Sequence, residues 1–263
     1  MTAPAAGPVR PRRQPLVPDQ HGAWAFLVTP LLLGMTVSGW SWLLVPLPVA
    51  WVAAYPLSWA LTGRLAAPRP QRFDRPLVLW SAIVVPLALL LVLARPWLIY
   101  AGAVLLAGFA VNLWFARARA ERALLNDLVL IAECVVAVPL SVGIVAGDRA
   151  WTAPWSAMTT AEVGVLTLAC ALTLVGSTLH VKSLIRERRR PIFGTISRVY
   201  GLACVPVMLA VAWLAGFGVL LVVPFAVLAV RALLVRDPTW RPARIGMVEL
   251  GCFVVLVVAA ALA

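Results

Sequence analysis

The sequence predicts an all-α membrane protein, a polytopic helix bundle of about nine transmembrane helices. Three observations carry this reading. Hydrophobic residues make up 63% and charged residues 12% of the 263 positions, where a soluble domain carries about 25% charge, and the mean hydropathy is +0.97. Apolar runs of spanning length, about 20 residues each, fill nearly the whole chain. The Lys and Arg residues sit in the short connections between these runs, dense on alternate connections and almost absent from the others.

Residues 1–20 are rich in Pro and Arg and contain no apolar stretch, which predicts a disordered basic cytoplasmic N-terminus rather than a cleavable signal. Residues 21–263 form the transmembrane domain. Span 1 is expected at about 22–40 and span 2 at 42–62, divided by a tight hairpin at Gly39–Trp42. Arg64, Arg69, Arg72 and Arg75 come next. Spans 3 and 4, at about 77–94 and 97–115, flank Arg95, and Arg117, Arg119 and Arg122 close span 4. Span 5, at about 127–147, is entered through Glu121–Asp127, with Asn126 or Asp127 as its N-cap. Arg149 precedes span 6, at about 163–184, whose end carries Lys182, Arg186, Arg188, Arg189 and Arg190, with Arg198 leading into span 7 at 199–215. A hairpin at Gly216–Gly218 separates span 8, at 217–235; Arg231, near its end, is counted with Arg236, Arg241 and Arg244 on the connection to span 9 at 245–263.

This division places Arg95 and Arg149 on one side and the other 20 of the 22 Lys and Arg residues on the opposite side. Merging either hairpin would reverse the alternation downstream. The expected topology therefore has a cytoplasmic N-terminus and an outside C-terminus, in a bacterial cytoplasmic (inner) membrane. Pro30, Pro46, Pro86, Pro139, Pro206 and Pro224 fall near mid-span and predict kinks. Trp24, Trp40, Trp42, Trp97, Trp151, Trp155 and Trp240 fall at span ends and predict interfacial anchors for the most part.

The formal charge of +12 does not indicate nucleic-acid binding, because the cations lie in short loops between apolar runs and not on a water-facing fold. The lipid bilayer is the partner that composition demands. Cys134, Cys170, Cys204 and Cys252 lie inside apolar runs with no metal-ligand spacing, so they read as small core hydrophobes and neither a disulfide nor a metal is expected. No phosphate loop, HExxH or G-x-S-x-G motif is present, and no cofactor is implied.

Ionisable groups within spans are costly and mark function by default. They are His21, Glu133, His180, Lys182 and Glu249, and the topology puts them all in the cytoplasmic leaflet. Glu133 lies about 9 Å below Asp127, too deep to reach water, and should face a polar cavity or pair with Lys182, His180 or an arginine. The helix end His180–Arg190 is cationic and suits phosphate oxygens, as a diphosphate, a phosphate or a lipid head group, although a plain topogenic loop has the same composition. Ser183, Arg186 and Glu187 share one helical face there.

Asp19–Trp24, Arg122–Asp127, His180–Arg188 and Arg244–Glu249 together resemble the YwiC-like family of bacterial membrane proteins, over most of the chain from residue 15. More remotely the layout resembles the UbiA-type intramembrane prenyltransferases, in which nine helices carry two Asp-rich motifs at the cytoplasmic ends of helices 2 and 6. That resemblance implies magnesium and a prenyl diphosphate. Here Arg75-Pro76-Leu77 is similar to the segment trailing the first motif, but Asp74 and Glu187 are the single acids at the two positions. Magnesium needs more oxygen ligands than these. The leading expectation is a protein that binds an anionic, lipid-like or isoprenoid-like ligand in a cytoplasm-facing polar cavity. Its lining would be His21, Trp24, Asn126, Asp127, Glu133, His180, Lys182, Arg186, Glu187, Arg188 and Glu249. The alternative is a UbiA-like prenyltransferase with a metal-poor diphosphate site, in which arginines, Lys182 and His21 stabilise the leaving group.

Overall fold

A computed structural model describes residues 15–18, 22–236 and 239–263. The expectations for residues 1–14 and for His21 lie outside the described residues. The helices are α1 (Ala23–Ser38), α2 (Pro46–Ala66), α3 (Asp74–Ala94), α4 (Leu98–Arg117), α5 (Leu124–Val135), α6 (Ala137–Ala146), the single turn α7 (Trp155–Met158), α8 (Ala161–Val181), α9 (Pro191–Leu214), α10 (Val223–Leu234) and α11 (Pro242–Leu262). Among the described residues there is no strand.

Seven helical stretches are long and apolar enough to cross a membrane: Trp42–Ala66, Pro70–Ala94, Leu98–Arg117, Leu124–Ala146, Ala161–Arg186, Pro191–Leu214 and Pro242–Leu262. Two further apolar helices, Ala23–Ser38 and Val219–Leu234, are shorter. Ala23–Ser38 has 16 residues, about 24 Å at 1.5 Å per residue, less than a hydrocarbon core of about 30 Å. Each of the nine expected runs thus has its helix, but two fall short of full spanning length. Both expected hairpins turn on glycine: Gly39 has φ 73° and Gly216 φ 75°, a left-handed backbone that glycine adopts without a Cβ penalty.

The prolines fall into three settings. Pro30, Pro86 and Pro206 lie inside helices, as does Pro56. Pro46 and Pro224 open α2 and α10 instead of kinking them, where a missing N–H costs nothing. Pro139 sits just past the break between α5 and α6 at Val136, where it cannot bond the carbonyl one turn back.

Helix α8 runs through the middle, packed on α1, α5, α6, α9, α10 and α11. One apolar core joins α1, α5, α6, α8, α9, α10 and α11 around Leu33, Leu166, Leu174, Met208, Phe225 and Leu256. A second joins α1, α2, α4 and α6 around Leu31, Leu47, Trp97 and Ile144. Gly34 allows α1 to lie against α6, since a Cβ there would stand 2.6 Å from the Ser141 Cβ and the Val138 carbonyl. Helices α3 and α4 are peripheral: about 6% of the residues in their apolar stretches are buried within the protein, against 61% in Ala161–Arg186. Val85, Leu89, Val104 and Leu106 are left facing outward, as lipid-facing side chains must.

The tryptophans are not uniform. Trp40, Trp42, Trp151 and Trp155 are exposed at helix ends, and Trp240 stacks under the Arg244 guanidinium at 3.8 Å. Trp97 is buried, its ring close against Gly143 and Gly147. Trp24 is half-buried, edge-on to Tyr55 at 5.4 Å.

Candidate functional site

The arginine-rich end of the bundle is built around α8. That helix widens at its end into a π-helical turn, Lys182–Arg186, closed by the Glu187 N–H donating to the Lys182 carbonyl at 2.7 Å. A π turn inserts a residue and rotates the chain beyond it, a device frequent at functional sites. Here it separates two polar clusters.

The first cluster fixes the α8 end to α5. Lys182 is buried, its Nζ 2.6 Å from Asp127 Oδ2 and donating to the Arg122 carbonyl at 2.6 Å. Arg186 Nη1 stands 3.8 Å from Asp127 Oδ1. The predicted N-cap is corrected by this geometry. Ala123 is the N-cap of α5, Asp127 faces Lys182, and Asn126 donates back to the Glu121 carbonyl at 3.0 Å.

The second cluster lies on the opposite flank of α8. Arg231 of α10 and Glu249 of α11 form a buried ion pair, both carboxylate oxygens accepting from Arg231 Nη1. Arg231 Nη2 donates to the Gly176 carbonyl at 3.4 Å, and Ser177 hydrogen-bonds Glu249. A buried pair needs such further bonds to offset its desolvation. His180 stands next to it, Nε2 4.0 Å from Glu249 Oε1 and Nδ1 3.5 Å from Ser197 Oγ. His180 Nε2 and Arg231 Nε have no hydrogen-bond partner among the described residues.

Above His180 and Ser197 opens a cavity of about 210 Å³, whose wall includes Ser183, Arg188, Arg190, Arg198 and Arg236. Arg190 Nε is 3.5 Å from Glu187 Oε2. Arg198 is aimed by bonds to the Gly194 carbonyl at 3.1 Å and Thr195 Oγ1 at 3.0 Å. Arg188, Arg198 and Arg236 have no carboxylate partner among the described residues. A shallower recess of about 420 Å³ is formed by the loop Ile185–Arg190 itself. Four guanidinium groups, a histidine and two hydroxyls around one small cavity present mainly donors, the complement of phosphate oxygens.

Of the residues expected to line one cavity, His180 and Arg188 do so, and Glu249 stands directly behind His180. Lys182, Asp127 and Arg186 form the neighbouring cluster, while Glu187 serves the rim through Arg190. Glu133 is elsewhere: it accepts from Asn112 Nδ2 at 2.6 Å, against Gly108 of α4, and not from Lys182, His180 or an arginine. Trp24 packs between α1 and α2. Sequence reading missed Asn112, Ser177, Ser197 and above all Arg231, counted as a loop cation. Its signal was present, since an arginine inside the apolar run 223–234 requires a countercharge, and Glu249 is the acid of the facing run.

The fold and the site define a polytopic helical membrane protein with a buried ion pair behind an arginine-rich mouth. The chain belongs to the YwiC-like family: residues 17–142 match the family described as YwiC-like protein. The uncharacterized protein YwiC of Bacillus subtilis (strain 168) is 30% identical over 90% of this chain and 94% of its own length. An uncharacterized protein of Haemophilus influenzae (strain ATCC 51907 / DSM 11121 / KW20 / Rd) is 28% identical over 72% of this chain and 75% of its own length. No solved structure matches the chain.

Proposed function

We propose that this membrane protein binds a phosphate-type anion, free or as a lipid head group, at a cytoplasm-facing mouth between α8, α9 and α10. The observation that carries the reading is the cavity walled by Arg188, Arg190, Arg198 and Arg236 with His180 and Ser197 among its lining residues. Three of those arginines lack an acidic partner among the described residues, so among the described residues the mouth carries an excess of positive charge. The concentration of arginine on this end supports its cytoplasmic placement. The cavity, of about 210 Å³, has room for a phosphate or diphosphate group.

Two arms of one experiment test this. Protein in zwitterionic nanodiscs is titrated with pyrophosphate, and separately with short-chain phosphatidic acid. Binding in the first arm alone points to a free anion, and in the second alone to a lipid head group. Arg188→Gln and Arg198→Gln should each weaken binding about tenfold or more, the value of a charge-assisted hydrogen bond. EDTA should leave it unchanged and salt should weaken it. Binding in neither arm, or binding indifferent to both substitutions, contradicts the reading.

A further inference from the structure

We infer that the mouth takes its anion together with a proton, held on His180; this rests on the anion-binding reading above. His180 is buried, forms part of the cavity wall, and has one ring nitrogen toward each side. Nδ1 faces Ser197 Oγ, which lines the same cavity, at 3.5 Å. Nε2 faces Glu249 Oε1 at 4.0 Å and has no hydrogen-bond partner among the described residues.

The two protonation states arrange this chain of donors differently. In the neutral ring one nitrogen accepts and the other donates, whereas in the imidazolium both donate. When Nδ1 accepts, the Ser197 hydroxyl proton points inward and the mouth faces an oxygen lone pair, which repels an anion. When Nδ1 carries a proton it donates to Ser197 Oγ and frees the hydroxyl proton to point at the anion. Nε2, which faces Glu249, carries its proton in both of these states. The proton added at Nδ1 therefore puts a charge beneath the mouth and turns Ser197 into a donor toward it.

The groups around His180 single it out as the one that responds. From α11 comes Glu249, held by Arg231 of α10. From α9 come Ser197 and, at the rim, Arg198; from the loop come Arg188 and Arg190, and beyond α10 comes Arg236. From the α5 side Lys182 is engaged by Asp127, and α1 carries no charged side chain between Ala23 and Ser38. Arginine does not deprotonate in proteins, so among the residues of the cavity wall His180 is the one that can take up or release a proton. Linkage makes the effect reciprocal: the anion raises proton affinity by the factor by which the proton raises anion affinity.

The test is isothermal titration of the nanodisc protein with sulfate, which does not titrate near neutrality, in buffers of different ionisation enthalpy between pH 6 and 8. The expected result is net proton uptake on binding, with affinity falling several-fold as pH rises across that range. His180→Gln removes a group of the cavity wall and should weaken sulfate binding, but the binding that remains should be independent of pH and without proton uptake. Wild-type binding without proton exchange overturns the inference and leaves the anion site standing. Proton uptake undiminished in His180→Gln overturns it as well. The wild-type measurement decides the matter even if that variant fails to fold. Absence of sulfate and pyrophosphate binding would instead remove the reading on which the inference rests.

Discussion

At the scale of single residues, the Arg231–Glu249 pair is the most consequential feature. Both side chains are about 95% buried, so removing one partner leaves an uncompensated charge among apolar helices, a loss of about 3–5 kcal/mol. Arg231→Ala and Glu249→Ala should each lower the thermal unfolding midpoint in detergent by many degrees. The double substitution Arg231→Met with Glu249→Leu should recover most of that loss. A double variant as unstable as either single would mean that the bundle needs more from these two positions than mutual charge compensation. Glu133→Gln is a contrast, because among the described residues the Glu133 carboxylate accepts its hydrogen bond from Asn112, a contact that an amide can keep. The same measurement should move little, and binding at the mouth should not change.

At the scale of elements, the π turn at Lys182–Arg186 sets the site. It lets Lys182 turn toward α5 while Arg188 and Arg190 turn toward α9. Deleting Ile185 should convert the turn to regular helix and rotate the loop beyond it by about 100°. The fold should survive and pyrophosphate affinity should fall at least tenfold, as read by the nanodisc titration. None of this was legible in the sequence, because His180–Arg190 reads equally as one continuous helix end. The nine apolar runs were legible, since span length and the alternation of arginine are strong, long-range signals. The lengths of the two short apolar helices, Ala23–Ser38 and Val219–Leu234, were less so: a glycine hairpin fixes where a run divides, but not how many residues on either side remain helical. Glu133 shows a different limit. Depth in the membrane follows from residue counting, whereas its partner depends on how α4 packs against α5.

At the scale of the whole molecule, the arginine-bearing loops converge in space. Lys182 reaches the Arg122 carbonyl, and Arg188, Arg198 and Arg236 share one cavity. The positive-inside tendency and the proposed site therefore draw on the same residues, and sequence alone could not separate topogenic cations from ligand-binding ones. The orientation is checked by single cysteines in a chain whose four native cysteines are replaced by alanine. A cysteine at Arg189 should react with an impermeant thiol reagent only from the cytoplasmic side. A cysteine at Ala263 should react only from outside. The reverse pattern would invert the topology. The decisive measurement places the anion itself. In that same background, Ser183→Cys puts a thiol on the cavity wall, and Ser38→Cys puts one at the far end of α1. Pyrophosphate should slow labelling at 183 at least fivefold and leave labelling at 38 unchanged. Equal labelling at 183 with and without saturating pyrophosphate and phosphatidic acid would contradict an anion site in the arginine mouth.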